Sequence, residues 1–203
     1  MKKIAIFGML LAAAVLPLAC NKKPEVSDNT AEKLPAFSLA TSEYPSWSTF
    51  MVAGKAGLIN PDEGGEPGTL EKKWGVDIVL YVKDYDPCLT MYGNGSVDAV
   101  CMTNMDSLNP ALGRPSTAIM PTSTSVGADK VIGVGFDPKF NQNITKGQHV
   151  ANFLKGKKTY GLSKSVSEYV FVRGLQVMEL NPKDFEFVNL EPSAAATALQ
   201  TGS

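Results

Sequence analysis

The chain has 203 residues with 19 basic and 20 acidic side chains, which gives a formal net charge of −1 at neutral pH. This balance offers no broad positive surface, so the composition argues against nucleic acid as a partner. The length allows one domain or two small lobes, and the apolar content is ordinary for a globular protein.

The first nineteen residues have the layout of an export signal. Lys2 and Lys3 precede an uncharged run over 4–19, and these sixteen residues are fewer than the roughly eighteen of a membrane-spanning helix. The run ends at Cys20 in LPLAC, which resembles the lipobox of bacterial lipoproteins. We therefore predict a lipoprotein signal peptide over 1–19 and lipid attachment at Cys20. An ordinary cleaved signal with an incidental cysteine is the alternative.

The stretch that follows is polar and predicts a flexible tether over 20–35. Removal of residues 1–19 would leave 17 basic and 20 acidic side chains, a charge of −3. The expected location is outside the cytoplasm, in the periplasm or at the cell surface, anchored to a membrane through lipid on Cys20. The sequence leaves open which membrane holds the lipid. It also leaves open whether Cys88 and Cys101 form a disulfide or stay as two buried thiols.

Strands and helices alternate along the rest of the chain, which predicts an α/β fold with parallel strands and right-handed crossovers. Strands are predicted at 37–40, 76–82, 97–102, 116–121, 129–135, 158–162 and 185–190. Helices are predicted at 46–57, 70–75, 86–92, 103–113, 149–158, 166–180 and 193–202. The helix over 166–180 is apolar on most sides and is expected to be buried. In such folds ligands bind at the carboxyl ends of the strands.

The loop GLSKSVSE provides the sharpest candidate site. Ser165 and Glu168 have the spacing of a capping box, which satisfies backbone N–H groups at a helix start. The same serine, with Ser163 and Ser167, could offer hydrogen bonds to a polar ligand at a helix N-terminus. Both interpretations stay open.

Two further loops follow predicted strands. Thr103 and Asp106 form a weaker capping pair, with Asn104 between them as donor and acceptor. In the loop after the first strand, Ser46 is predicted to cap the first helix. Tyr44 or Trp47 could lie against a planar solute, although a core position for Trp47 is equally reasonable.

The loop PTSTSVGAD contains four hydroxyl side chains, at Thr122, Ser123, Thr124 and Ser125. It is either a solvated loop or one wall of a neutral, hydrogen-bonding cleft. Acidic residues near these loops could receive a cationic solute such as guanidinium: Glu43, Asp129 and Glu168. The nearby cations are Lys164 and Arg114, so an anion would depend on neutral donors.

Catalytic and metal-binding patterns are absent from the sequence. His149 is the only histidine, and no nucleophile elbow, zinc-protease, phosphate-loop or paired CxxC motif occurs. GVGFDP lacks the third glycine of a dinucleotide fingerprint. We therefore predict no enzyme activity, no catalytic residues, no cofactor and no metal.

The order of several motifs resembles the solute-binding lipoproteins of bacterial ABC importers, in the nitrate/sulfonate/taurine type and its urea-carboxylase-related group. The motifs are GLIN…LEKKWGVDIVL, DYDPCLTMYGNGSVDAVCMTNMD, LGRPSTAIMPTSTSVGAD, FLKGKKTYGLSKSVSEYV and EPSAAATALQTG. The resemblance covers 37–203. It implies a type II periplasmic-binding-protein fold, in which two lobes with mixed, mainly parallel sheets close on a solute.

The same resemblance implies the domain boundaries, the partners and the site. The first lobe would span 36–125, and the crossover with a partial second lobe would span 126–203. The partners would be a small polar nitrogenous or sulfonated solute (urea, guanidine, nitrate or taurine-like) and a membrane permease. The implied ligand-binding residues are Glu43, Tyr44, Ser46, Trp47, Thr103, Asn104, Ser123, Thr124, Ser125, Ser165, Ser167 and Glu168.

Members of this family are longer, so the resemblance implies that the second lobe is incomplete at Ser203 and exposes apolar surface. Two alternatives remain open at this point. One is a thiamine-precursor-type binding protein or enzyme on the same fold. Some proteins of that type use a lysine and a histidine with pyridoxal phosphate. The other is a surface lipoprotein that binds a protein partner.

Overall fold

The computed structural model describes residues 33–109, 112–137, 139 and 144–202. The predicted signal peptide, the lipidation site Cys20 and the tether up to residue 32 lie outside these ranges. Within them, no helix is both long enough and apolar enough to cross a membrane.

The first sheet has three parallel strands in the order β2-β1-β3: β1 is Ala36–Thr41, β2 is Asp77–Val82 and β3 is Ala99–Val100. β1 lies in the centre, with Leu39 beside both Leu80 and Ala99. The parallel arrangement confirms the prediction made from the alternating pattern. It also places the loops after β1 and β3 at the same edge of the sheet.

Three helices accompany this sheet: α1 is Ser48–Lys55, α2 is Thr69–Trp74 and α3 is Tyr85–Gly93. α3 supplies most of the helical contribution to the core, because Tyr85, Cys88, Leu89 and Tyr92 are all buried on it. Further members of this core lie on β1, after β3 and in the loops: Leu39, Ala40, Trp47, Val97, Cys101, Leu112 and Leu162. Leu162 follows a strand of the second sheet, so the core continues from one sheet towards the other.

The second sheet has two parallel strands, β4 at Lys158–Gly161 and β5 at Glu186–Asn189. Its helices are α4 at Lys146–Leu154, α5 at Val166–Val177 and α6 at Pro192–Thr201. Short 3-10 turns occur at Asp106–Leu108 and Pro182–Asp184. Lys33–Ser203 cluster as one compact unit, so the predicted division at residue 125 stays a prediction.

The α5 prediction was wrong about burial. Only Phe171 and Leu175 are buried on this helix, whereas Tyr169 is 49% and Val177 is 70% exposed. A small sheet covers only one side of a helix, so the opposite apolar side chains stay in contact with solvent.

Two predicted strands were also wrong. Residues 116–121 and 129–135 have no regular structure, and most of their side chains are exposed. β-branched content favours a strand only where another strand supplies the hydrogen bonds, and no described strand pairs with this segment. Its exposed apolar residues include Ile119, Ile132 and Val134.

Smaller corrections concern helix starts and cysteines. α1 begins at Ser48 with Trp47 before it, so Ser46 does not cap it, because the backbone turns between Tyr44 and Ser48 first. The predicted helix over 103–113 is not an α-helix: its described residues include a 3-10 turn at Asp106–Leu108 and 3-10 conformation at Leu112. Cys88 and Cys101 are buried and free, which answers the question left open by their spacing.

Candidate functional site

An open cavity of about 560 Å³ lies where the loop after β3 approaches the start of α5. It is lined by Met105, Asp106, Leu108, Asn109, Lys164, Ser165, Glu168, Tyr169 and Val172. One wall follows the carboxyl end of β3, and the other follows the carboxyl end of β4. This is the position at which open α/β sheets bind ligands.

Asp106 is the most deeply buried acid on this cavity, with 3% of the residue exposed. Its Oδ2 accepts hydrogen bonds from the Tyr85 hydroxyl at 2.7 Å and from the Thr103 hydroxyl at 2.7 Å. The Asp106 N–H donates to the Thr103 hydroxyl oxygen at 3.2 Å, which confirms the predicted pairing of these two residues. Because two donors converge on Oδ2, the carboxylate is fixed in orientation and Oδ1 is left for a further donor.

The start of α5 forms the opposite wall. The Ser165 hydroxyl accepts from the Ser167 N–H at 3.1 Å and donates to the Leu162 carbonyl at 2.7 Å. Glu168 Oε2 accepts the Lys164 N–H at 2.6 Å. The predicted capping role of Ser165 is confirmed, but Glu168 bonds to the residue before the cap rather than to the cap itself. Both side chains are therefore occupied in holding the helix start.

The two basic residues that the sequence places close to the candidate loops differ in their surroundings. Arg114 donates from Nη1 to the Tyr92 carbonyl at 2.9 Å and to the Val97 carbonyl at 3.3 Å, and its guanidinium lies 4.4 Å from the centre of the Tyr92 ring. Lys164 is exposed at the cavity edge, with a positive φ of 57°. Arg114 is thus a structural residue, and Lys164 is the cation that lines the cavity.

An aromatic cluster lies behind Asp106. The ring centres of Tyr44 and Trp47 are 4.3 Å apart, and Tyr85 lies 5.6 Å from Tyr44. Trp47 is 4% exposed and donates from its indole N–H to the Thr122 hydroxyl at 3.2 Å. Trp47 therefore has the core position that the sequence left open.

The tyrosine hydroxyls of this cluster have negative surroundings. Burial, followed by the charges of Asp106 and Asp129, raises the pKa of Tyr44. Burial also raises the pKa of Tyr85, which keeps its hydroxyl protonated as a donor to Asp106. Burial is the main cause of both rises, and the charge of Asp106 adds to each.

Two buried side-chain oxygens have no hydrogen-bond partner among the described residues: Ser42 Oγ and Glu191 Oε2. Thr41 ends β1 and Ser42 follows it, so both hydroxyls lie at the carboxyl edge of the first sheet. The Thr41 hydroxyl interacts with the Cys101 thiol, whose pKa burial raises and this contact lowers. Buried polar atoms are normally satisfied, so Ser42 Oγ is left open to water or a solute. The sequence analysis missed both hydroxyls, although their place at the end of a central strand was a usable signal.

Glu191 precedes α6 and lies against the first turn of α3. Burial, then the charges of Asp84 and Asp86, raises the pKa of Glu191. Beside it the Ser193 hydroxyl donates to Asp84 Oδ1 at 2.8 Å. These contacts connect a helix of the second sheet with a helix of the first.

The structure brings together some of the predicted site residues. Ser165 and Glu168 line the cavity, and Thr103 bonds to Asp106 beside it. Five others are exposed and do not line the cavity: Glu43, Asn104, Ser123, Thr124 and Ser125. Their role as ligand contacts, with those of Tyr44, Ser46, Trp47 and Ser167, stays a prediction.

The described residues contain no group of three or more His, Cys, Asp or Glu side chains that could hold a metal ion. The ring of His149 lies against the Asp137 carbonyl, with Nε2 at 2.8 Å, and packs on Phe136 at 5.1 Å. It is not among the residues that line the cavity.

The fold is similar to that of a solved solute-binding protein, the alkanesulfonate-binding protein SsuA from Xanthomonas axonopodis pv. citri, bound to MOPS. The TM-score is 0.51 and the sequence identity is 18%, over 84% of this chain and 52% of that chain. This chain therefore spans about half the length of the protein it matches. No protein-family model and no curated protein matches the chain. The comparison establishes a shared α/β fold with parallel sheets.

Proposed function

We propose that the chain is the solute-binding component of an ABC importer, which captures a small polar solute and presents it to a membrane permease. The observation that carries this proposal is the cavity between the loop after β3 and the start of α5. It adjoins the carboxyl ends of strands from two parallel sheets, as expected for a ligand site in this fold. The similar structure is itself a binding protein, which supports the same class of function.

The proposed mechanism is closure of two lobes, 36–125 and 126–203, around the solute. Ligand contacts from both walls would favour the closed state, because a ligand shifts an equilibrium towards the state it binds better. The cavity walls come from these two ranges: Asp106 and Asn109 from one, Lys164 and Tyr169 from the other. No covalent chemistry is needed for such a role.

Export and lipid attachment at Cys20 belong to the same proposal. A chain anchored by lipid beside the membrane would stay close to the permease that receives its solute. The test compares the amount of the chain in the membrane fraction of bacteria that express the unmodified protein with the amount in bacteria that express Cys20→Ser. Loss of membrane association and of the lipid mass on the N-terminal peptide is expected. An unchanged membrane fraction would contradict the anchor but not the solute site.

The solute site is tested by calorimetry of the purified full chain with urea, guanidinium chloride, sodium nitrate and taurine. Val172→Trp is designed to fill the cavity, because Val172 lies on its wall. Val177→Trp is the matched control on the same helix, at a position that is 70% exposed. We expect at least one solute to bind the unmodified chain and the control but not Val172→Trp. Binding that survives in Val172→Trp would place the site elsewhere, and no heat with any solute would contradict the proposed function.

A further inference from the structure

Resting on the proposed function, we infer that the cavity selects a solute with a cationic head group that donates N–H bonds, such as a guanidinium, amidinium or ammonium, rather than an anion such as a sulfonate. The inference concerns the charge and hydrogen-bonding class of the solute, and it depends on how three groups on the cavity are already bonded.

The first group is Asp106. A carboxylate that is 3% exposed is costly to bury unless its oxygens receive hydrogen bonds. Oδ2 receives two, from Tyr85 and Thr103 at 2.7 Å each, and no described donor reaches Oδ1. The side chain is therefore held in one orientation, and Oδ1 remains as a hydrogen-bond acceptor of a residue that lines the cavity. An N–H donor completes this arrangement, whereas an anion has no hydrogen to offer and is repelled.

The second group is the N-terminus of α5, a twelve-residue helix. An open helix N-terminus is the usual place for an anion, because its N–H groups and the helix dipole are positive. Here the chain places its own carboxylate beside that N-terminus. Ser165 accepts the Ser167 N–H, and the Glu168 carboxylate accepts the N–H of Lys164, the residue before the cap, at 2.6 Å. A sulfonate bound at the helix start would therefore lie beside a negative charge.

The third feature is the distribution of charge. Lys164 is the only basic residue among those that line the cavity, against the carboxylates of Asp106 and Glu168. The Arg114 guanidinium is engaged by two carbonyls and the Tyr92 ring, so it is not available to an anion. The cavity thus has the polarity of a cation site.

The test measures binding to the purified full chain by calorimetry at constant ionic strength, with sodium chloride as the reference. The cationic probes are guanidinium chloride and methylammonium chloride at millimolar concentration. The anionic probes are sodium ethanesulfonate and sodium nitrate. We expect a cationic probe to bind and both anions to bind at least about tenfold more weakly, the factor that one hydrogen bond to a charged group supplies.

Variants assign the effect to the cavity. Asp106→Asn keeps the shape of the side chain but removes the charge, and we expect it to weaken cation binding about tenfold or more. Glu168→Gln tests the second wall if Asp106→Asn does not fold, and it should also weaken the cation. Glu186→Gln is the control, because Glu186 is exposed and paired with Lys158 at 3.4 Å on β5. Circular dichroism verifies the fold of each variant.

The outcomes separate the two proposals. Tight binding of ethanesulfonate or nitrate that Val172→Trp abolishes would overturn the cation inference and leave the solute-binding function standing. Cation binding that neither Asp106→Asn nor Glu168→Gln weakens would also overturn the inference. Absence of binding by all four probes and by urea and taurine would overturn both.

Discussion

Glu71 provides the sharpest test of how this sequence holds its first sheet. The residue lies on α2 and is 1% exposed, yet no basic side chain of the described residues forms an ion pair with it. Its Oε2 accepts the N–H groups of Asn60 at 2.7 Å and Gly68 at 2.6 Å, and its Oε1 accepts the Ile78 N–H at 2.7 Å. One carboxylate therefore connects both ends of the loop between α1 and α2 to β2.

These three hydrogen bonds determine how much the free energy of unfolding should fall when Glu71 is replaced. Hydrogen bonds to a charged group contribute about 1.5–3 kcal/mol each. In Glu71→Gln the amide oxygen can replace one carboxylate oxygen, but the NH₂ group faces a backbone N–H and leaves it unpaired. We expect the free energy of unfolding to fall by about 2–3 kcal/mol. Glu71→Ala removes all three acceptors, and we expect a loss of about 4–5 kcal/mol, a large share of the 5–15 kcal/mol typical of a domain.

The assay is equilibrium unfolding in urea, followed by the fluorescence of Trp47 and Trp74, with the midpoint and slope fitted for each variant. Glu63→Gln is the matched control in the same loop, because Glu63 is exposed and its only ion pair is with Lys33 at 3.3 Å. The control should leave the midpoint unchanged. If Glu71→Gln unfolds at the same urea concentration as Glu63→Gln, the three bonds do not stabilise the sheet and the reasoning is wrong.

Three further predictions concern other parts of the chain. Burial, then the charge of Asp84, raises the pKa of Glu191, so the native state loses stability as the pH rises from the ordinary glutamate pKa to the raised one, and over that rise Glu191→Gln should gain stability relative to the unmodified chain in urea titrations; a difference between the two that does not change with pH would contradict this. Burial raises the pKa of Cys88 to about 11 and also that of Cys101, so iodoacetamide at pH 8 should label neither until urea is added; rapid labelling of the native chain at Cys88 or Cys101, located by peptide mass to separate it from Cys20, would contradict this. Gly68→Ala should lower the free energy of unfolding by about 2 kcal/mol in urea titrations, because its methyl group would lie 2.6 Å from a backbone carbonyl, and an unchanged midpoint would refute the close approach.

Periodicity and composition predicted much of the architecture. The predicted strand over 76–82 and the predicted helix over 86–92 agree with β2 and α3 to within one residue at each end. Each of these segments combines a local pattern with a tertiary partner. Parallel pairing also followed from the alternation of strands and helices. Where local preference and long-range contacts agree, the sequence is sufficient.

The predicted strands over 116–121 and 129–135 show the limit of this reasoning. Val131, Ile132 and Val134 have strand-like side chains, but a strand also needs a neighbour for its backbone N–H and C=O groups. That neighbour is a property of the assembled fold, which no local pattern contains. The segment is instead exposed, with Ile132 at 76% and Val134 at 77%.

The candidate site was predictable as a place but not as a set of atoms. The loops after two strands were identified, and Ser165 and Glu168 do line the cavity. The role of Asp106 depends on Tyr85, which is 21 residues away in sequence and fixes one of its two oxygens. Likewise, the unpaired hydroxyl of Ser42 can be recognised only when its surroundings are known.

The likeness in fold to a sulfonate-binding protein is compatible with our inference of a cationic solute, because function depends on the side chains of the site rather than on the fold. In an α/β fold the helix that follows a strand presents a positive N-terminus by default. Glu168, three residues after the cap of α5, opposes that default by placing its own carboxylate beside the helix start, on the Lys164 N–H. On our inference, the carboxylate of Asp106 on the opposite wall then makes the site negative. A change at these two positions would alter the class of solute without altering any strand or helix of the scaffold.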